Sequence, residues 1–329
     1  MAGREVEPVP SGERGDASDL RRIKNQEAAK RALEVAVAGG HHLLLIGPPG
    51  CGKSLLARAL WSLLPAPSVR LSREVAWIYG AAGKPLPPGR PVIEVLPSEP
   101  ASVVTGGRTR REVGRAILAH GGVLLLEDLP SFRTAILREL SPFLEETMPP
   151  RPEEQTEVPF GIRFMLAATA TACLCGQRHG LEPCRCTPAA RRKHWRTVPG
   201  SFLDRLEIQV SVQALRPDEL NCPPGESSRE VARRVRAARS RQRRRQGARL
   251  NSLLPAEELP ELAEPDAQAR KLLEMVSRRV ELSTRSLHQT KRIARTVADL
   301  AGSERIRAPH MAEAVQYVQG ASWLWEDVT

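Results

Sequence analysis

Apolar residues along this chain fall into short unbroken runs separated by stretches with helical spacing, the alternation that builds a parallel sheet covered by helices. Leu43-Leu44-Leu45-Ile46, Val123-Leu124-Leu125-Leu126 and Phe164-Met165-Leu166-Ala167-Ala168 contain no polar residue, as expected of strands buried on both faces. Ala28, Ala29, Ala32, Leu33 and Val37 recur at helical spacing in a helix predicted over Asn25 to Val37, and Gly39-Gly40 supplies its stop signal. Further helices are predicted over Leu55 to Leu60 and over Ser131 to about Glu146. Strand and helix thus alternate three times, which predicts an α/β fold with a parallel sheet. From about Ser227 onward the pattern is almost wholly helical, broken by a Pro-rich connector from Leu254 to Pro265. The predicted division is a tail over residues 1–20, an α/β core over 21–215 and a C-terminal α-helical domain over 216–329. The tail mixes Pro, Gly, Ser and charges with almost no apolar content, a disordered composition. Within the core, Pro65 to Arg111 is too long for a simple connection. It reads as an insertion with a short strand over Val92 to Leu96, and a hairpin is one option for the rest.

The segment directly behind the first aliphatic run changes the picture from fold to chemistry. It reads GPPGCGKS, Gly47 to Ser54, and opens a helix. Strand, glycine-rich turn and helix N-terminus in that order make a phosphate site, because backbone N–H groups converge where side chains would block approach. Gly47, Pro48, Pro49, Gly50, Cys51, Gly52, Lys53, Ser54 and Leu55 are the predicted nucleotide contacts, for ATP or GTP. Lys53 would bring a point charge to the outer phosphates, and Ser54 would offer its hydroxyl to magnesium.

Nucleotide hydrolysis also needs acidic groups at a second strand end. Glu127 and Asp128 follow the Val123 to Leu126 run. They stand in the reverse of the usual Asp-Glu order, so Glu127 is expected in the magnesium shell and Asp128 beside the attacking water. Each side chain differs in length by one methylene from the usual arrangement. A misplacement of about 1 Å can cost roughly a hundredfold in rate, which makes slow hydrolysis a specific expectation.

Cys173, Cys175, Cys184 and Cys186 form a CxC and CxC pair after the third apolar run. Four thiolates can close a tetrahedral zinc site that staples a loop lacking its own core. Free cysteines and a redox pair are the competing readings, and His179 inside the loop is an alternative ligand. A reducing cytosol disfavours stable disulfides.

The 329-residue chain carries 49 Lys and Arg against 38 Asp and Glu, a formal charge of +11 that points to polyanionic partners. The densest contribution is Arg229 to Arg249, REVARRVRAARSRQRRRQGAR, where Val231, Val235 and Ala238 mark a thin apolar stripe. Two readings stand: a solvated helix face, or sequence-independent contact with a DNA or RNA backbone. No aromatic residue interleaves the arginines, which disfavours base stacking. No apolar run approaches the roughly 18 residues of a membrane span, and no signal core opens the chain. A soluble, cytoplasmic protein without a membrane partner is expected.

Taken with IKNQEAAKRALEVAVAGGHHLLLIGPPGCGKS, LAHGGVLLLEDLP, FLDRLE and LSTRSLHQTKRIARTVADLAGSERIRAPHMAEAVQY, the chain resembles the magnesium-chelatase-related AAA+ ATPases of the ComM/YifB type. The likeness runs from about Ile23 to Tyr317. It implies an AAA+ P-loop NTPase core with a helix-2 insertion and a C-terminal α-helical domain, assembled as a homo-oligomeric ring, expected to be a hexamer, that acts on DNA. It places an arginine finger at Arg205, facing the ATP of a neighbouring subunit, and a sensor-2 arginine at Arg285, which joins the nucleotide contacts by reading the γ-phosphate from the helical domain. The catalytic set so implied is Lys53, Asp128 and Arg205, with ATP and magnesium as cofactors. Two departures from the family pattern weigh against full activity. Thr169-Ala170-Thr171 stands where the family has an asparagine that positions water, with Thr171 the plausible substitute, and Glu127-Asp128 is reversed. The Lon-like N-terminal domain usual in the family is a further expectation that the short tail does not meet. The competing function is a regulatory or scaffolding ATP-binding module. A subunit inserting magnesium into a porphyrin is a third reading, but nothing in the chain forms a tetrapyrrole pocket.

Overall fold

The computed structural model describes residues 19–106, 113–144, 160–178, 180–280 and 282–318. Strands β1 (Leu43–Ile46), β2 (Val92–Val95), β3 (Val123–Leu126), β4 (Met165–Ala170) and β5 (Ile208–Ser211) pair in the order β2-β3-β4-β1-β5, each neighbour parallel to the next. The three central strands are buried throughout. Successive side chains of a strand point to opposite faces, and the apolar residues sort accordingly. Leu43, Leu45, Val123, Leu125, Met165 and Ala167 join one buried cluster, while Leu44, Ile46, Leu124, Leu126, Leu166 and Ala168 join another.

The core helices are α1 (Glu27–Gly39), α2 (Lys53–Leu63), α3 (Val69–Ala81), α4 (Ala101–Thr105), α5 (Arg115–Leu118), α6 (Thr134–Leu140), α7 (Pro188–Trp195) and α8 (Gly200–Leu203). The C-terminal helices are α9 (Ser228–Gln246), α10 (Leu259–Leu262), α11 (Ala267–Val280), α12 (Thr284–Leu300) and α13 (Ala308–Val318). The first cluster runs without a break from the sheet through α1 and α2 into Val231 and Val235 of α9, Ile293 and Val297 of α12 and Met311 of α13. The C-terminal helices therefore share the core of that face. Each such side chain contributes about 1.5 to 3 kcal/mol by burial, enough to hold the two parts together.

Several expectations shift. The first helix begins at Glu27, because Asn25 and Gln26 adopt left-handed backbone, and Gly40 at φ 77° ends it. The predicted insertion contains no hairpin among its described residues. It holds α3, whose Leu71, Val75, Ile78 and Tyr79 have the helical spacing that packs on α5, and Ser68 caps it. The predicted short strand is β2, a member of the main sheet, paired in parallel with β3. The helix expected from Ser131 to Glu146 is shortened to α6 with 3₁₀ turns on either side. Pro142 has no N–H with which to continue an α-helix; Glu145 and Glu146 lie outside the described residues. β5 is a fifth strand that the apolar runs did not announce, because Gln209, Val210 and Ser211 are half-buried at a sheet edge. Residues 1–18 of the predicted tail lie outside the described residues. Asp19 and Leu20 belong to the fold: Leu20 is buried, and Asp19 accepts from the backbone N–H of Ser228 at 2.9 Å. Among the described residues, no helix is long and apolar enough to cross a membrane.

Candidate active site

The phosphate loop leaves the C-terminal end of β1, with the N–H of Gly47 donating to the carbonyl of Ala170 at 3.1 Å. A Cβ on Gly47 would lie 2.1 Å from the carbonyl oxygen of Val212, so only glycine fits there. Gly50 and Gly52 are required for another reason: both adopt positive φ, at 74° and 93°. Gly52 caps α2 without a side-chain bond, leaving the N–H groups of the first turn oriented for an anion. Lys53 opens that helix and arches over the loop, its Nζ donating to the carbonyls of Gly47 at 2.9 Å and Pro48 at 2.6 Å. Pro48 is buried and Ser54 half-buried, whereas Pro49 and Leu55 are exposed. Burial raises the Cys51 thiol above its ordinary range, against the opposing pull of Lys53. These residues fit a nucleoside triphosphate with magnesium.

β4 lies between β1 and β3, which sets the acidic pair about 10 Å from the loop across the sheet. Glu127 is half-buried and meets Arg58 at 3.2 Å. Asp128 adopts left-handed backbone at φ 57° and ψ 65°, a conformation costly for a non-glycine residue and concentrated at functional sites. Its N–H donates to Thr169 Oγ1 at 3.1 Å, and its carboxylate accepts from Ser131 and from Thr171 Oγ1, the latter at 3.5 Å. The threonine after β4 thus reaches the acid. Ala170 is buried and has no polar group to offer. Behind Thr171 stands His194 of α7, with Nε2 3.1 Å from Thr171 Oγ1 and 3.0 Å from its carbonyl. Sequence reasoning missed His194, since nothing at its position, 23 residues along the chain, marks it.

The cysteine loop follows at once. Sγ of Cys173 lies 3.4 Å from Cys175 and 3.6 Å from Cys184, Cys175 lies 3.7 Å from Cys184, and the four sulfurs are all within 4.8 Å of one another. Tetrahedral thiolates with Zn–S bonds of about 2.3 Å have sulfurs about 3.8 Å apart, so the donor set fits zinc. Each cysteine is free of disulfide. The backbone N–H of Gln177 and other donors lower Cys175 to about 6, while burial pushes Cys173 up. His179 lies outside the described residues. The loop abuts the phosphate loop: a Cβ on Gly176 would fall 2.6 Å from Pro49 Cδ.

Arg205 and Arg285 are brought together, away from that site, so Arg285 does not read a phosphate on its own chain's loop as expected: the packing of its helix sets it at the other end of the strands. Both line a cavity of about 830 Å³ with His42, Gly122, Met165 and Glu207, which precede or open β1, β3, β4 and β5. The cavity is therefore at the N-terminal edge of the parallel sheet, and none of residues 47–55 lines it. Gln289 of α12 donates to the carbonyl of Asp204 at 2.6 Å, tying the Arg285 helix to the Arg205 turn. Arg90, Arg163, Arg239 and Arg292 line the same space. Burial, aided by the charge of Arg90, lowers Arg239 to about 9, and both its Nε and Nη2 donate to the Val37 carbonyl. Burial likewise drives His42 down to about 4. Burial alone would raise Glu207, but His41 at 2.5 Å holds its carboxyl below the ordinary range. The wall is strongly cationic.

The arginines of α9 divide into two sets, so the helix is not a uniform basic surface. Arg234 pairs with Glu34 and Arg245 forks onto Asp299 at 2.8 and 2.9 Å, while just beyond the helix Arg249 meets Glu258 at 2.6 Å. Arg229, Arg233, Arg236, Arg243 and Arg244 are exposed, and their successive steps of four, three, seven and one place them on one outward stripe, about 100° wide and about 22 Å long.

Comparison with known proteins adds a family to this geometry. The family model described as magnesium chelatase, subunit ChlI, matches residues 19–220, and the model of the C-terminal part of that subunit matches residues 225–318. The chain is 33% identical over 316 residues to the uncharacterized protein YifB of Escherichia coli, covering 94% of this chain and 62% of that protein. It is 32% identical over 305 residues to the competence protein ComM of Haemophilus influenzae, covering 91% and 60%. A putative lon protease homolog of Methanothermobacter thermautotrophicus matches a shorter region, 38% identical over 76 residues, 23% of this chain and 14% of that protein. The chain spans about three fifths of the length of the YifB and ComM relatives.

Proposed function

Because the chain belongs to the magnesium chelatase ChlI family and has a P-loop AAA+ core with a C-terminal helical domain, we propose that it is an ATPase that works as a ring of its own copies. The observation that carries this reading is the separation of two half-sites. The loop over 47–55, Glu127, Asp128 and Thr171 occupy one edge of the sheet, while Arg205 and Arg285 stand together on the opposite edge. A head-to-tail neighbour would set the arginine edge of one copy against the phosphate edge of the next, and such heterologous contacts form a ring where the rotation between copies closes. The hexamer implied by the family resemblance is the ring size we adopt.

In this account Lys53 holds the outer phosphates, and Ser54 and Glu127 hold magnesium. Bound magnesium would neutralise charge on the phosphoryl oxygens. Asp128 orients the attacking water and accepts its proton. Arg205 of the adjacent copy meets the charge developing in the transition state, and Arg285 reads the terminal phosphate across the same interface. An assay of ATP turnover with and without branched or single-stranded DNA, beside a sizing measurement in ATP, tests the whole. Turnover above that of Lys53→Ala, in a particle several chains in size, is expected. Turnover equal to that variant removes the ATPase and leaves a second reading, an ATP-binding scaffold whose assembly alone responds to nucleotide. The Arg58 pairing of Glu127 favours that reading, since it competes with metal for the carboxylate.

DNA is the partner proposed for the outward stripe of α9. Replacing Arg229, Arg233, Arg236, Arg243 and Arg244 with Gln is expected to weaken duplex binding regardless of sequence. The slope of log affinity against log salt should flatten by about 0.9 for each phosphate that is no longer neutralised. An unchanged slope assigns the stripe to solvent.

Zinc is proposed at the four cysteines. Purified protein is expected to hold about one zinc per chain, and Cys175→Ser with Cys184→Ser to hold almost none by elemental analysis. Because Gly176 rests on Pro49, the metal-free variant should also bind ATP more weakly. Full zinc content in the double variant would contradict the assignment.

A further inference from the structure

We propose that His194 is a positioning residue for ATP hydrolysis: it holds the Thr171 hydroxyl so that the hydroxyl hydrogen points at Asp128. The proposal rests on the hydrolysis reading above and assigns a part in it to a side chain outside the phosphate loop and the acidic pair.

The donors and acceptors around Thr171 admit one arrangement. His194 Nε2 faces two oxygens of one residue, Thr171 O at 3.0 Å and Thr171 Oγ1 at 3.1 Å. A carbonyl can only accept, so Nε2 must carry the hydrogen, shared between the two. Thr171 Oγ1 then accepts from the imidazole and has one hydrogen of its own to place. Its acceptor is Asp128 Oδ1 at 3.5 Å. The second carboxylate oxygen of Asp128 is engaged by Ser131. A lone threonine hydroxyl rotates freely among acceptors; the imidazole removes that freedom.

The imidazole is itself held. Thr187 caps α7 through the Ala190 N–H at 3.2 Å, and Trp195, buried next to His194, donates Nε1–H to the carbonyl of Ala172 at 3.1 Å. Beyond the helix, Thr197 Oγ1 donates to Pro130 O at 2.7 Å. α7 is thereby fastened both to the end of β4 and to the turn after Asp128. A short chain, imidazole to hydroxyl to carboxylate, results on rigid supports.

His194→Phe keeps a ring beside Trp195 and removes the donor, whereas His194→Gln keeps a donor. We expect His194→Phe to lower kcat about tenfold with KM nearly unchanged, the effect of one hydrogen bond, and His194→Gln to recover most of it. On a Thr171→Val background, His194→Phe should add little, because the pair acts as one unit. A kcat within twofold of the parent, no recovery in His194→Gln, or fully additive losses would overturn the proposal. If the parent turns over no faster than Lys53→Ala, the hydrolysis reading fails separately. The contact is then read without turnover, from the Nε2 resonance of His194 in ¹⁵N-histidine-labelled protein. Movement of that resonance in Thr171→Val supports the hydrogen bond, and a resonance that stays in place overturns it.

Discussion

Lys53→Ala is expected to reduce ATP turnover by about 10² to 10³-fold, the scale seen when one fixed electrostatic donor is removed from a reacting oxyanion. The side chain springs from the first residue of α2 and arches back across the loop to the carbonyls of Gly47 and Pro48. Its charge is thus confined to the loop on which phosphate would sit. Alanine removes that charge but leaves the two positive-φ glycines and the helix N-terminus intact. Some nucleotide affinity should therefore persist while catalysis collapses. Steady-state hydrolysis, run beside titration with a fluorescent ATP analogue, separates the two effects. Undiminished turnover would place hydrolysis at some other site. Lys53→Arg is not expected to rescue, because the planar guanidinium is bulkier and projects its donors as a fork, where the half-buried ammonium is a compact point charge.

Arg205→Ala should be the more severe change in rate, about 10³ to 10⁵-fold, the range for an arginine finger. ATP binding to the single chain should be almost unaffected, because the cavity that Arg205 lines excludes residues 47–55. That pairing of lost turnover with retained binding is one signature of action across an interface. Mixing provides another. Lys53→Ala chains retain Arg205, and Arg205→Ala chains retain the phosphate loop. In rings assembled from equal amounts of both, about a quarter of head-to-tail interfaces would regain both halves. Activity of the mixture above either variant alone is the expected outcome. Mixtures as inactive as their components, with rings still forming, would show that Arg205 acts within its own chain or not in hydrolysis at all.

Much of the candidate nucleotide site is legible because its determinants are local. GPPGCGKS needs a strand before it, positive φ at Gly50 and Gly52, and a helix starting at Lys53, and all three depend on neighbouring residues. The central strands are legible for a related reason. Burial on both faces demands uninterrupted aliphatics, whereas β5, at an edge, tolerates Gln209 and Ser211 and so lacks the signal. α3 carried a readable helical spacing that its Pro- and Gly-rich surroundings masked.

The arginines of α9 show where local reading stops. Along the chain Arg234, Arg236, Arg243 and Arg245 look alike. In the fold Arg234 meets Glu34, 200 residues away, and Arg245 forks onto Asp299, while Arg236 and Arg243 face outward. A guanidinium beside a buried carboxylate anchors the helix, and one in water remains free to meet a polyanion. Composition carries no record of which is which.

Periodicity, glycine backbone freedom and short spacing are properties of chain neighbours, so the alternation of strand and helix, the phosphate loop and the four-cysteine donor set can be read along the chain. Folding in three dimensions is what brings Thr171 to Asp128 with His194 behind it, rests the cysteine loop on Pro49, and sets Arg205 and Arg285 on the edge opposite Lys53. The reason is physical: a side chain's function depends on its partner's direction and distance, and packing brings those partners together from distant parts of the chain.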